Sequence, residues 1–250
     1  ADRLGYNLPY GQDKLITALS KINKNIAVIL ISGNAVAMPW LNEVPSILEA
    51  WFSGTESGNA IASVLVGDVN PSGKLPMTFA SRLEDYPSHA VGEYPGDSVN
   101  VKYNEGIFVG YRWMDKHKIR TLFPFGHGLS YTTFQYGKVT LSASEMKETE
   151  TLTVAVPIKN SGKVKGKEIV QLYIGDEKSS LERPVKELKG FRKVELAPGE
   201  EKVVEFTITL DDLKFYDETV HDWRAEPGKF NILIGSSSTD IRAKTKFILQ

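Results

Sequence analysis

Near Tyr131 the hydrophobic period of this chain changes, and no single layer architecture accommodates both periods. Upstream, segments of helical and extended character alternate. Residues 12–23 place Leu15, Ile16, Leu19 and Ile22 on one helical face, with Lys14, Lys21 and Lys24 elsewhere. Residues 26–31 form an unbroken aliphatic run, the pattern of a strand buried on both faces. A second strand is predicted over 46–52, then a helix capped by Thr55 or Ser57 with Ile61, Val64 and Leu65 inward. Residues 67–73 are dense in turn formers, and 74–79 read as a further strand. This rhythm predicts an open α/β sheet with helical layers.

Downstream the period is two. Strands are predicted over 137–141, 151–158, 168–174, 185–196, 202–210, 228–234 and 241–249. Leu152, Val154, Val156 and Ile158 share one face, as do Val204, Phe206, Ile208 and Leu210. Seven short alternating strands predict an immunoglobulin-like sandwich. The chain has no cysteine, which favours the fibronectin type III style over antibody-type domains. The fold class is therefore a partial α/β open-sheet sandwich followed by an all-β immunoglobulin/fibronectin III-like sandwich. The domains are 1–100, an ordered connecting segment at 101–130, and 131–250. The stretch 84–130 is rich in Gly and Pro, but its aromatics, Tyr94, Tyr103, Phe108, Tyr111, Trp113, Phe123 and Phe125 among them, favour packing over flexibility.

Composition narrows the function. The formal net charge is -1, so no bulk field draws the chain to nucleic acid or to an anionic membrane. No apolar run reaches the roughly 18–20 residues that span a bilayer. Without cysteine there is no disulfide, thiolate nucleophile or Cys-based zinc site. The four histidines, His89, His117, His127 and His221, lack metal-ligand spacing. The glycines near Gly54 and Gly58 match neither dinucleotide nor P-loop patterns, and no nucleophile elbow occurs. Neither a metal nor a cofactor is expected. A periplasmic or extracellular site is expected, although a cysteine-free chain also suits the cytoplasm.

Four strings occur in order. The first is Asp2-Arg3 with Asn7-Leu8-Pro9 and Gln12. The second runs from Gly54-Thr55-Glu56-Ser57-Gly58-Asn59-Ala60 to Gly67-Asp68-Val69-Asn70-Pro71-Ser72-Gly73-Lys74-Leu75-Pro76. The third joins Tyr103-Asn104-Glu105-Gly106 and Gly110-Tyr111-Arg112 to Phe123-Pro124-Phe125-Gly126-His127-Gly128-Leu129-Ser130-Tyr131. The fourth is Arg183-Pro184, Lys186-Glu187-Leu188-Lys189-Gly190-Phe191 and Glu226-Pro227-Gly228. Together they resemble the C-terminal part of the glycoside hydrolase family 3 β-glucosidases, over nearly the whole chain.

That resemblance implies a three-part retaining enzyme: a (β/α)8-type barrel carrying the nucleophilic aspartate, an α/β sandwich carrying the acid/base glutamate, and a fibronectin III-like domain. Retention needs the two carboxyls about 5–5.5 Å apart. The implied nucleophile lies in the barrel, and the implied glutamate a few residues before the Asp-Arg pair, so both are expected upstream of Ala1. The chain alone is then expected to be inactive. Asp2 and Arg3 would brace the glutamate's loop by an ion pair, or form a surface pair of little energetic worth. The implied partners are a β-glucoside or oligosaccharide and the upstream barrel. A sheet begun in mid-fold exposes an edge and an apolar face, so stability is expected against that upstream portion or as a homo-oligomer.

Two pocket candidates remain: Trp40, in the loop after the first strand, and Glu105, in the aromatic segment. Both also admit a structural reading, packing for Trp40 and a local polar contact for Glu105. His221-Asp222-Trp223 echoes a catalytic string of the barrel but lies between sandwich strands, where Trp223 is expected to pack in the core or at an edge. His127 is expected to be structural, and Glu56 to favour a helix N-terminus. Two other functions fit the sequence: a non-catalytic carbohydrate-binding or adhesion module, and the same family with β-xylosidase, α-arabinofuranosidase or N-acetylglucosaminidase specificity.

Overall fold

The computed structural model describes residues 5–92, 94, 96–97 and 99–250. Asp2 and Arg3 lie outside the described residues. The first unit opens with helix α1 (Gln12–Ile22), followed by strands β1 (Ala27–Leu30) and β2 (Ser46–Glu49). The two strands pair in parallel from Ala27↔Ser46 to Leu30↔Glu49. Val28 and Leu30 point into a core with Val36, Met38, Trp40 and Phe79.

Several expectations for this unit are corrected. The apolar face of α1 is not its buried face. Leu15, Leu19 and Ile22 are exposed, and the helix packs through Ile16 and the fully buried Ser20, whose hydroxyl donates to Glu43 Oε2 at 2.8 Å. Strand β1 is covered on one side only, with Ile29 and Ile31 on the other side exposed. Periodicity identifies the face that must leave water; whether a covering element is at hand is a tertiary matter. The same holds for α2 (Ser57–Leu65), which buries none of its residues fully. Neither Thr55 nor Ser57 caps it. The N-cap is Glu56, with no side-chain cap bond; its carboxylate accepts from Asn59 Nδ2 at 2.6 Å.

The strand expected over 74–79 shortens to β3 (Phe79–Ala80). The preceding residues bend at 76–77 and pair elsewhere: Leu75 N–H donates to His127 O and Gly126 N–H to Leu75 O, both at 2.8 Å. After the short α3 (Pro87–Ala90), helix α4 (Tyr111–His117) buries Trp113 and Met114 against Ala80 and Phe108. Strand β4 (Thr121–Phe123) then returns to pair antiparallel with β3.

The second unit begins with β5 (Phe134–Tyr136), β6 (Thr140–Leu141) and β7 (Glu145–Met146). The long strands β8 (Leu152–Asn160), β9 (Gly166–Asp176), β10 (Glu187–Leu196) and β11 (Glu201–Ile208) follow. Then come β12 (Phe215–Asp217), β13 (Asp222–Arg224), β14 (Gly228–Gly235) and β15 (Ile241–Leu249). One sheet runs β10-β9-β14-β15-β7 and the other β11-β8-β5, with β6 also on β8. Leu152, Val154, Val156 and Ile158 are all buried in one core with Phe206, Ile232 and Phe247, as alternation requires. Each such side chain contributes about 1.5–3 kcal/mol by leaving water. The strand expected at 137–141 is interrupted at Gly137, where a Cβ would stand 3.0 Å from the Pro157 ring. The hairpin β12–β13 has no counterpart among the expected strands, because three-residue strands give no period.

A dense polar and aromatic seam joins the two units. Gln171, buried in β9, donates from Nε2 to Gly126 O at 3.2 Å and Ser236 O at 2.7 Å. Its Oε1 accepts from Tyr173 Oη. Ser238 N–H donates to Phe125 O at 2.9 Å. The Tyr111 ring stacks on Phe125 and meets Tyr173 edge-on, while its hydroxyl accepts from Leu188 N–H at 2.8 Å. Lys74 pairs with Glu168 at 3.1 Å, both nearly buried, Arg112 pairs with Glu187, and Lys186 pairs with Asp115. Within the aromatic segment Phe108, Tyr111, Trp113, Phe123 and Phe125 pack, whereas Tyr94 and Tyr103 are exposed, against the expectation for them.

Candidate functional site

In an open parallel sheet, ligands gather at the carboxyl ends of the strands, where loops diverge. Here those ends are Leu30 and Glu49. The Glu49 carboxylate accepts from Trp51 N–H at 3.0 Å and lies 3.4 Å from Ser32 Oγ, which donates more closely to Asn34 O, at 2.8 Å. Burial raises the Glu49 carboxyl above its ordinary value, and the bonds from Trp51 and Ser32 oppose that shift without reversing it. A carboxyl raised by burial holds its proton to higher pH, the property a proton donor needs.

The backbone at this edge is strained. Trp51 has φ of 53°, unusual for an aromatic residue, and its ring meets Phe79 edge-on at 6.1 Å. That turn throws Phe52 outward over Gly33, where a Cβ would lie 2.8 Å from the Phe52 ring. Phe52 is 75% exposed. An apolar ring beside a half-buried carboxyl suits a ligand that offers both C–H faces and hydroxyls. The incoming chain passes the same edge, since Tyr6 O accepts from Ala37 N–H at 2.9 Å in the loop after β1.

The sequence candidates fall differently. Trp40 is corrected from pocket to core: it is fully buried, and its indole N–H donates to Asp13 Oδ1 at 2.8 Å. The chain turns inward after β1, so this ring fills the space between α1 and the sheet. Glu105 is half-buried, and its Oε2 is buried with no hydrogen-bond partner among the described residues. His127 lies against Phe123 at 5.1 Å, its pKa held low by burial and then by the Lys74 ammonium. His221 and Asp222 sit at the β12–β13 hairpin, with Trp223 exposed at its edge rather than in the core. Among the described residues no cluster of three or more acidic or histidine side chains is arranged to hold a metal, and no helix is long and apolar enough to cross a membrane.

Sequence reasoning missed Ser32, Glu49 and the Trp51–Phe52 lip. Glu49 ends a segment predicted to remain extended to residue 52. A positive φ at a tryptophan has no signature in composition.

The architecture is an α/β layer locked to a fibronectin III-like sandwich. The profile described as "Glycosyl hydrolase family 3 C-terminal domain" matches residues 1–131, and that described as "Fibronectin type III-like domain" matches 168–238. The chain belongs to the family of glycosyl hydrolase family 3 C-terminal domains, as the four strings implied. It is similar to a β-glucosidase of Bacteroides ovatus, 55% identical over 98% of this chain and 33% of that protein. It is also similar to thermostable β-glucosidase B of Acetivibrio thermocellus, at 49% identity over 97% and 32%. The crystal structure of a β-glucosidase from Kluyveromyces marxianus in complex with glucose superposes with a TM-score of 0.94 at 38% identity, covering 100% of this chain and 30% of that one. The chain spans about a third of the length of the curated relatives it matches.

Proposed function

We propose that this chain is the C-terminal portion of a retaining glycosidase that hydrolyses terminal β-D-glucosides. Another portion of the enzyme supplies the aspartate nucleophile from a barrel, and the acid/base glutamate precedes Asp2 and Arg3. The observation that carries the reading is similarity to β-glucosidases over 97–98% of this chain. In this reading the barrel portion, or strands upstream of this chain, cover the exposed Ile29 and Ile31. The carboxyl-end crest of Ser32, Glu49 and Phe52 walls the sugar site.

The chemistry follows from two carboxyls in unlike surroundings. The nucleophile, ionised, attacks the anomeric carbon. The acid/base residue, still protonated, donates to the leaving oxygen and later takes a proton from water. This chain contributes the rigid wall that excludes bulk water and orients the glutamate's loop. The test is release of nitrophenol from a chromogenic β-glucoside by the chain alone and by the chain combined with the upstream polypeptide. Activity in the combination only is expected. Turnover by the pure chain would overturn the placement of both carboxylates, and a preference for xylosides, arabinofuranosides or N-acetylglucosaminides would overturn the sugar assignment.

A further inference from the structure

The hairpin β12–β13 holds two aromatic rings out into solvent on a base far more rigid than exposed rings require. Trp223 is 60% exposed and Tyr216 46%. The two are cross-strand partners, 5.7 Å apart at 68°. Beneath them Asp217, 1% exposed, accepts from Thr219 N–H at 2.9 Å and Thr219 Oγ1 at 2.6 Å, and pairs with Arg224 at 2.7 Å. Arg224 also reaches Glu226 at 3.2 Å. The Arg183 and Arg224 guanidiniums lie 5.2 Å and 5.5 Å from the Phe215 ring centre. The turn is closed by His221 at a φ of 55°. Keeping a tryptophan in water forfeits its burial energy, and a preorganised aromatic presented to solvent is the arrangement of a recognition surface.

Beside the tryptophan lies an open cleft of about 480 Å³ lined by Asp211, Lys214, Asp222 and Trp223, with Lys214 Nζ 2.7 Å from Asp211 Oδ1. Its two carboxylates accept and its ammonium donates, while one ring offers an apolar face. A pyranose presents the complement: C–H faces above and below, hydroxyls around the rim. Two carboxylates against one ammonium disfavour phosphate and nucleic acid. The rings meet in a corner rather than a flat strip, which suits a single sugar ring at a chain end rather than a crystalline glucan surface.

We propose that the β12–β13 hairpin binds the end of a β-gluco-oligosaccharide, stacking one pyranose ring on Trp223 and bonding its hydroxyls through Asp211, Lys214 and Asp222. The glucosyl assignment rests on the proposed function, whereas the sugar-binding surface rests on the hairpin itself. Among the four tryptophans Trp223 stands open to solvent, while Trp40 and Trp113 are buried and Trp51 is half-buried. Cellotriose should therefore protect the fluorescence of the full chain from acrylamide quenching. In calorimetry Trp223→Ala should weaken cellotriose binding about tenfold or more, with Trp223→Phe retaining part of the affinity. Two results would overturn the proposal: no protection and no heat at millimolar cellotriose, or equal affinity in the wild type and Trp223→Ala. Preferential binding of xylo- or chito-oligosaccharides would overturn the glucosyl assignment. Hydrolysis of a chromogenic β-glucoside by the chain combined with the upstream polypeptide is read separately, so loss of binding with that hydrolysis intact removes this site alone. Binding by the chain with no hydrolysis by the combination leaves the site standing and removes the glucosidase reading.

Discussion

Replacing Gly126 by alanine should break the seam between the two units, and the structure sets the size of the effect. Gly126 has φ of +80°, and a Cβ there would lie 2.3 Å from Gln171 Oε1 and 2.7 Å from its Nε2. The left-handed backbone costs an L-residue about 1–2 kcal/mol. Displacing the Gln171 amide costs more. Gln171 is 3% exposed and has nowhere to swing without surrendering its bonds to Gly126 O, Ser236 O and the Tyr173 hydroxyl. Each buried polar group left unpaired costs about 1–3 kcal/mol. Backbone and amide together come to about 3 kcal/mol or more, or roughly 6–12 °C in Tm for a chain of this size. Thermal or urea unfolding of Gly126→Ala, Gln171→Ala and the double variant separates backbone strain from the clash. With the amide already gone, the alanine should cost only its backbone share of about 1–2 kcal/mol. An equal cost in both backgrounds would refute the clash and leave strain alone.

Asn160 uses all its side-chain valences while fully buried: Oδ1 accepts from Thr132 Oγ1 and Gly162 N–H, and Nδ2 donates to Val164 O and Leu196 O. Asn160→Asp, nearly isosteric, turns both donations into repulsions and should cost about 3 kcal/mol, read as a lowered urea midpoint. Trp40→Phe should lose about 1 kcal/mol with the Asp13 bond, and Trp40→Ala about 3–5 kcal/mol through a cavity, without changing sugar affinity in calorimetry. The pKa of His127 lies below 6.5 in the fold because of burial and the nearby Lys74. The unfolded chain therefore binds the extra proton first, and stability falls as pH drops through about 6.5. The urea midpoint of the wild type should decline more between pH 7.5 and 5.5 than that of His127→Gln, and parallel slopes would remove His127 as the cause.

The sandwich was legible because β8 and β11 alternate between buried and more exposed positions. Leu152 to Ile158 alternate, and the structure buries the predicted set. The α/β rhythm was legible too, but its burial was not. Leu15, Leu19 and Ile22 satisfy every criterion for an inward face and stand exposed, while Ser20 is buried. Amphipathicity reports a demand for cover, and which element meets it depends on residues distant in the chain. Little of the candidate site could be read in advance. Glu49 and Phe52 take their roles from the positive φ at Trp51, and Trp40 lost its expected role because its loop turns into the core.

The order of the two units, the type of the long periodic elements and family membership follow from the sequence by itself, since each rests on local period, turn chemistry or an ordered set of strings; the short α4 and the β12–β13 hairpin do not. The tertiary structure alone decided which faces are covered, that Gly126 must stay bare to admit Gln171, that Glu49 sits half-buried at a sheet edge, and that Trp223 faces water on a rigid base. These are mostly facts about pairs of residues far apart in the chain. A one-dimensional pattern carries each residue's preference for water or burial but not the identity of its neighbour in space, and it is the neighbour that sets a clash, a shifted pKa or an exposed ring.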